Sequence, residues 1–205
     1  MKLYYVHDPM CSWCWAFRPI YLLLKDRLPK QIEFIRLLGG LAPDSDAPMP
    51  EATKQYVISN WHQIQHELPN TQFNYDFWKA CQPRRSTYPA CRAVIAARHQ
   101  GEHFDELMTH AIQHAYYLNA KNPSDSDTLI ELSENIGCDK IKFENDLNAS
   151  RTETILKEEL STARSLNLNS FPGLLYISET ISQHIPIDYH DVDKIVANIN
   201  LAINR

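Results

Sequence analysis

No apolar stretch of this chain approaches the roughly 20 residues that a bilayer-spanning helix needs, so no membrane is expected as a partner. The N-terminus enters a strand after a single lysine, without the apolar core and small-residue cleavage site of a secretory leader, and the expected compartment is the cytoplasm. Basic charge is also short: 20 Lys and Arg stand against 25 Asp and Glu, for a formal net charge of -5. Nucleic-acid binding needs a concentrated positive face, and Arg84-Arg85 is the one basic doublet, which excludes that partner class. Cysteine, at five residues, is odd in number and too sparse for a disulfide scaffold. Glycine is equally scarce at 5, and no repeat or low-complexity tract is present. What remains, 44% hydrophobic and 22% charged over 205 residues, is an ordinary globular composition, long enough for one or two domains with a full core.

Against that background two of the five cysteines stand out, in Cys11-Ser12-Trp13-Cys14. Lys2 to Val6 reads as a short strand of aromatic and β-branched residues, which Asp8 and Pro9 break. From Trp15 to Leu28 the apolar residues Ile20, Leu23, Leu24 and Leu28 recur at helical spacing. The motif therefore opens a helix, where free N–H groups and the helix dipole favour negative charge. A thiolate at that place is stabilised and serves as a nucleophile at neutral pH, and a second cysteine one turn on can resolve a mixed disulfide.

Along the rest of the chain, Gln31 to Leu38 reads as a second strand ended by Gly39-Gly40, and the proline-rich stretch Leu41 to Pro50 as a loop. Helices alone follow. Val57, Trp61, Ile64 and Leu68 share a face; Pro89 opens a helix with Ala90, Ala93, Val94 and Ala97; Phe104, Leu107, Met108, Ala111, Ala115 and Leu118 form an amphipathic pattern. Pro123-Ser124 opens a further helix closed by Gly137, and a short one spans Ile141 to Leu147. Ser150 with Glu153 reads as a capping box for a helix bearing Leu156, Leu160, Ala163 and Leu166. Strands return at Leu174 to Ile177 and Ile181 to Ile187, and Asp188 is expected to begin a final helix with Val192, Ile195, Val196 and Ile199 on one side. The order is β-α-β, a helical block, then α-β-β-α. The expected division is one discontinuous α/β domain, 1–44 with 150–205, and a helical insertion, 45–149.

The stretch Asp8-Pro9-Met10-Cys11-Ser12-Trp13-Cys14-Trp15-Ala16-Phe17-Arg18-Pro19 resembles the motif of the cytosolic, FrnE-like members of the DsbA family of thiol–disulfide oxidoreductases. Ser170-Phe171-Pro172-Gly173, before an apolar strand, resembles that family's cis-proline segment, and Tyr88-Pro89-Ala90-Cys91-Arg92-Ala93 the opening of a helix in its insertion. The resemblance implies a thioredoxin fold with an inserted α-helical domain. It implies Cys11 as attacking thiol, Cys14 as resolving thiol and Pro172 as a cis-proline facing them, with the backbone of Phe171 open to an extended substrate segment. Ser12, Trp13 and Trp15 complete the expected substrate-binding set, the two tryptophans offering apolar surface to an unfolded chain or a small aromatic ligand. Two departures stand out. The position six residues before the first cysteine, where relatives often bury an acid, holds Tyr5, with Asp8 nearer the motif. The intervening pair is Ser12-Trp13, not Pro-His, which implies a milder oxidant.

The expected activity is thus disulfide exchange or isomerisation on protein thiols, with glutathione as a possible co-substrate and no cofactor beyond the redox disulfide. Two other readings compete with it. One is a glutathione-dependent isomerase or kappa-class-like transferase acting on small molecules, a class that usually carries serine where this chain has two cysteines. The other is a non-catalytic chaperone or binding module. No second Cys-x-x-Cys completes a zinc site around Cys11 and Cys14. His62/His66, His99/His103 and His110/His114 are spaced i, i+4, and His99-Gln100-Gly101-Glu102-His103 spells H-x-x-E-H, but Gly101 is expected to interrupt the helix such a site needs. No metal is expected. Monomer and homodimer both remain open, as does a Cys81–Cys91 disulfide.

Overall fold

The computed structural model describes residues 1–204. The chain forms two compact units, Met1–Gly39 with Glu159–Arg205, and Gly40–Glu158. Among the described residues no helix is long and apolar enough to cross a membrane.

The first unit is built on a four-stranded sheet of order β2-β1-β3-β4. Its centre is β1 (Lys2–His7), parallel to β2 (Glu33–Leu38) and antiparallel to β3 (Gly173–Ile177), which in turn pairs antiparallel with β4 (Ser182–Ile185). Successive side chains of a strand point to opposite faces, and β1 uses both. Leu3 and Tyr5 enter a core with Phe17, Ile20, Tyr21 and Leu24 of α1 (Ser12–Arg27) and Val192, Ile195 and Ile199 of α9 (Val192–Ile203). Tyr4 and Val6 face the other way, with Leu37, Leu175 and Ala163 of α8 (Ser150–Ser165). This is the thioredoxin strand and helix order expected from the sequence.

Several boundaries differ from the expected ones for local reasons. The second strand begins at Glu33, because the N–H of Ile32 instead closes a turn on the carbonyl of Pro29 at 2.9 Å. The fourth strand stops at Ile185, before Pro186, which has no N–H to donate to a ladder. The last helix starts at Val192 with Asp191 as its N-cap. Asp188 instead ties the preceding loop, its carboxylate accepting the N–H groups of His190 and Asp191 at 2.8 Å each and the ammonium of Lys194 at 3.1 Å. The apolar stripe of α1 is Phe17, Ile20, Tyr21 and Leu24; Leu23 is 44% exposed while Leu24 is 0% exposed.

The second unit is helical: α2 (Glu51–Glu67), α3 (Phe77–Ala80), α4 (Tyr88–Arg98), α5 (His103–Tyr117), α6 (Ser126–Asn135), α7 (Lys140–Leu147) and the first turns of α8. Trp61 of α2 is fully buried among Phe73, Tyr75, Phe77, Trp78, Tyr116 and Tyr117, with ring centroids 4.8 to 6.2 Å away. Arg92 of α4 donates to Asp44 at 2.6 and 2.8 Å and to Glu153 at 3.2 Å. The guanidinium holds the Asp44 carboxyl below its usual range, by hydrogen bonding first. Glu153 also pairs with Lys157, and the first amides of α8 bond to the carbonyl of Ala149, so Ser150 lies inside the helix and the expected capping box gives way to these ion pairs. In α5 the buried face includes Met108, Ile112, Ala115, Tyr116 and Tyr117, whereas Leu107 is exposed; Asp105 is buried because Arg98 donates to it at 2.7 Å. The helix expected from Pro123 begins at Ser126, after a turn in which the Ser124 hydroxyl donates to the carbonyl of Ser86.

The rotation of the α1 stripe sets a direct test. Leu24→Ala is expected to destabilise the protein by about 2–5 kcal/mol, whereas Leu23→Ala stays within about 0.5 kcal/mol of the parent. Urea denaturation of both variants measures it; equal losses would contradict the packing described.

Candidate active site

The site begins where β1 ends. Asp8 follows His7 with 0% exposure; its Oδ1 accepts the N–H of Met10 at 2.7 Å, and its carbonyl accepts the N–H of Cys11 at 3.0 Å. This turn places Cys11 at the N-cap of α1, with extended φ and ψ of -83° and 117°. An N-cap side chain ordinarily supplies an oxygen to one of the free amides of the first turn. Here it is the sulfur that does so: the N–H of Cys14 donates to Cys11 Sγ at 3.2 Å. The same sulfur lies 3.5 Å from the carbonyl oxygen of Phe171, to which its thiol donates. All five cysteines, Cys11, Cys14, Cys81, Cys91 and Cys138, are free thiols.

The two motif cysteines differ in access and surroundings. Cys11 is 5% exposed and Cys14 1%. Burial pushes the Cys14 thiol well above the ordinary cysteine range, and its contact with the Cys11 sulfur and the nearby negative charge of Asp8 push it further the same way. Beneath them Tyr5 stacks on His7 and Tyr21, with centroids 5.1 and 4.9 Å apart. Burial raises the Tyr5 hydroxyl well above its usual range, the charge on Cys14 adds to this, and Arg36 opposes it. Arg36 donates to the Tyr21 hydroxyl at 2.9 Å and meets His7 Nε2 at 3.1 Å. At the position of Tyr5 the chain thus sets an aromatic, imidazole and guanidinium cluster by the thiols, with Asp8 as the buried acid beside Cys14.

The Phe171–Pro172 peptide bond is cis. Phe171 is seated by Gly39: a Cβ at that position would stand 2.1 Å from the Phe171 ring. Trp13, partly buried, packs on Tyr189 with centroids 5.2 Å apart, and Phe17 meets the same tyrosine edge-on at 5.8 Å. Ser12 and Trp15 lie in the first turn of α1, both partly buried. The structure therefore brings Cys11, Cys14 and Phe171 together, and places Trp13 against Tyr189, a wall the sequence does not signal. Tyr189 lies in a segment whose sequence suits the start of the last helix; the Asp188–Asp191 pattern of short acidic side chains around an aromatic is the available signal for a tied loop. His7, Arg36 and Gly39 depend on strand pairing across the sheet, and local sequence carries no signal for them.

Elsewhere, α4 ends at Arg98, and Gly101, with φ 154°, separates it from α5, so His99 and His103 do not share a helix. His62 stacks on Tyr75, and the rings of His110 and His114 meet each other at 4.2 Å. Among the described residues no group of three or more His, Cys, Asp or Glu side chains is arranged to hold a metal ion. Burial raises the thiols of Cys81 and Cys138.

Residues 4–194 match the family model described as thioredoxin. The ClpXP adapter protein SpxH of Bacillus subtilis (strain 168) is 24% identical over 179 residues, which cover 87% of this chain and 58% of SpxH. The chain thus spans less than two thirds of the length of the curated relatives it matches. Two solved structures superpose over nearly the whole chain. A candidate protein disulfide isomerase from Nitrosomonas europaea matches with a TM-score of 0.84 and 20% identity, over 99% of this chain and 97% of that one. The cytosolic disulfide reductase DsbM from Pseudomonas aeruginosa, known also with GSH, matches with a TM-score of 0.76 and 19% identity, over 100% and 99%. These likenesses show the fold, thioredoxin-like with the helical block of DsbA-like proteins.

The unequal surroundings of the two thiols have a measurable consequence. A raised thiol stays protonated to higher pH, so the Cys14 thiolate forms only as pH climbs past the ordinary cysteine range. In the reduced native protein, iodoacetamide at neutral pH is expected to label Cys11 faster than Cys14 by roughly tenfold or more, with Cys14 catching up at alkaline pH. Peptide mapping by mass spectrometry reads the order, and earlier labelling of Cys14 would contradict it.

Proposed function

The chain belongs to the thioredoxin family, and from that premise we propose that it is a thiol–disulfide oxidoreductase of the FrnE-like cytosolic kind, with Cys11 attacking and Cys14 resolving. The observation that carries this reading is the position of the Cys11 sulfur, at the N-cap of α1 within reach of both the Cys14 amide and the Phe171 carbonyl. A thiolate there accepts from the Cys14 N–H and lies at the positive end of the helix. It attacks one sulfur of a substrate disulfide: a Cys11–substrate bond forms, the substrate S–S bond breaks, and the first substrate sulfur leaves as a thiolate that takes up a proton. Cys14 then loses its proton, for which we assign the buried Asp8 carboxylate, whose charge acts on Cys14, as the acceptor, and attacks Cys11 Sγ. The Cys11–Cys14 bond forms and the second substrate sulfur leaves. Two electrons have passed to the substrate, and two equivalents of a small thiol such as glutathione restore the dithiol. Isomerisation is the same entry step followed by attack of another substrate thiolate on the mixed disulfide, with no net electron transfer.

The substrate class we assign is protein disulfide. The Phe171 backbone beside Cys11 suits an extended segment, and Trp13 with Tyr189 offers apolar surface to its side chains. Reduction or isomerisation is the direction a reducing cytoplasm sustains, and the cytosolic reductase DsbM has the same fold. A second reading is favoured by a separate observation, the similarity to an adapter protein: the chain as a binding module whose apolar surface holds a client without exchange.

The two readings part on serine variants. Cys14→Ser is expected to accumulate a mixed disulfide between Cys11 and a disulfide-bonded peptide, visible in non-reducing mass spectrometry, and Cys11→Ser to abolish exchange. Client binding that persists unchanged in Cys11→Ser, with no trapped adduct in Cys14→Ser, would overturn the oxidoreductase in favour of the binding module.

A further inference from the structure

The helical unit contains a crevice of about 490 Å³ that the dithiol chemistry does not use. His99 and Gln100 wall it at the end of α4, Lys142, Asn145 and Asp146 line it from α7 at i, i+3, i+4, and Arg151 closes it from the first turn of α8. Its volume is that of a small-ligand site, but such sites are mostly apolar. This lining is polar and charged throughout, which points to a small charged occupant.

The sign of that charge follows from the partners. Asp146 is the one carboxylate of the lining, and it is already engaged: Arg151 donates to it, and His99 Nδ1, buried and without a hydrogen bond, stands 3.6 Å away. Lys142, by contrast, makes no side-chain bond among the described residues, and neither does the amide of Asn145. Gln100 holds the wall rigid, accepting the N–H of Asp139 at 2.8 Å and donating to its carbonyl at 3.0 Å. The cations also stand at the wrong helix ends. Lys142 falls in the first turn of α7, which has no acidic residue there, and Arg151 in the first turn of α8, whereas Lys140 is held away from the crevice by Glu134 at 3.1 Å. Helix N-termini carry partial positive charge and favour anions. The Asp139 cap offsets part of this on α7, while Glu153 on α8 turns to Arg92 and Lys157. Two cations thus stand against the helix dipole around a crevice to which an ammonium, an amide and a guanidinium edge are open.

We propose that this crevice binds a phosphate group, held by the free N–H groups of Arg151, the ammonium of Lys142 and the amide of Asn145. The guanidinium fork matches phosphate oxygens, and the ammonium adds a point charge. The site is independent of the Cys11–Cys14 chemistry.

The probes are inorganic phosphate and glycerol 3-phosphate, titrated into the full chain at fixed ionic strength while backbone amide resonances are followed by NMR. Saturable shifts confined to Gln100, Lys142, Asn145 and Arg151 are expected. Lys142→Gln removes an ammonium that holds nothing in the fold, and it should weaken binding roughly tenfold, the loss of one charge-assisted bond. Tighter binding of glycerol 3-phosphate would assign the site to a phosphorylated metabolite; binding of inorganic phosphate alone would assign it to the free ion. Linear shifts that never saturate, equal affinity in Lys142→Gln, or saturation by citrate but by neither phosphate probe would overturn the proposal.

Discussion

The sulfur of Cys11 occupies a place that few side chains can hold. It caps α1 by accepting an amide of the helix's first turn, and at the same time faces a carbonyl from a segment 160 residues away. On the proposed reading both contacts serve thiol exchange: the first gives the sulfur a hydrogen-bond donor, and the second marks the backbone beside which a substrate segment would lie. The rest of the first unit serves that convergence. β1 and the Asp8 turn aim the start of α1, the Leu3–Phe17–Leu24 core fixes its axis, and β3, paired with β1, carries Phe171 and Pro172 up to it. Gly39, at the end of β2, leaves room for the Phe171 ring.

Two chemically identical residues acquire different properties from their environments. Cys14 is buried, one turn inside the helix, with its thiol raised by desolvation and by the adjacent sulfur. Cys11 has the amide and the edge of solvent. In the proposed exchange, a thiol that resists ionisation waits until a mixed disulfide forms beside it, and then needs a base. Asp8 is fully buried and close enough to act on Cys14 electrostatically, while Tyr5, whose hydroxyl burial pushes well above its usual range, already holds its proton at neutral pH and offers no base. In that exchange, the same low-dielectric surroundings that keep Cys14 protonated would also strengthen its dependence on one carboxylate.

Much of this was legible in the sequence, and the reasons divide cleanly. The strand Lys2–Val6, the breaker Asp8-Pro9 and the apolar helix after the motif are local patterns, so the placement of Cys11 at a helix start could be read directly. The β-α-β and α-β-β-α order followed from period and punctuation in the same way. Local patterns failed where a tertiary partner decided the outcome. Leu23 and Leu107 fit an apolar period yet face solvent, because the packed stripe is rotated by one position toward Tyr21 and Tyr116. Glu153 was read as a cap, but Arg92 competes for it from another helix. Asp188 carries a helix-start signal and instead ties the loop that sets Tyr189 against Trp13. His7 and Arg36 meet across paired strands, which no window of adjacent residues reveals.

The central claim is that Cys11 and Cys14 form a reversible two-electron couple. Equilibration of the protein in glutathione redox buffers, followed through the fluorescence of Trp13 and Trp15 beside the pair, measures it directly. A single reversible transition is expected, between roughly −270 mV, the value of a reductase, and about −180 mV, that of an isomerase. The absence of any reversible transition, or a glutathione held stably on one cysteine, would contradict it.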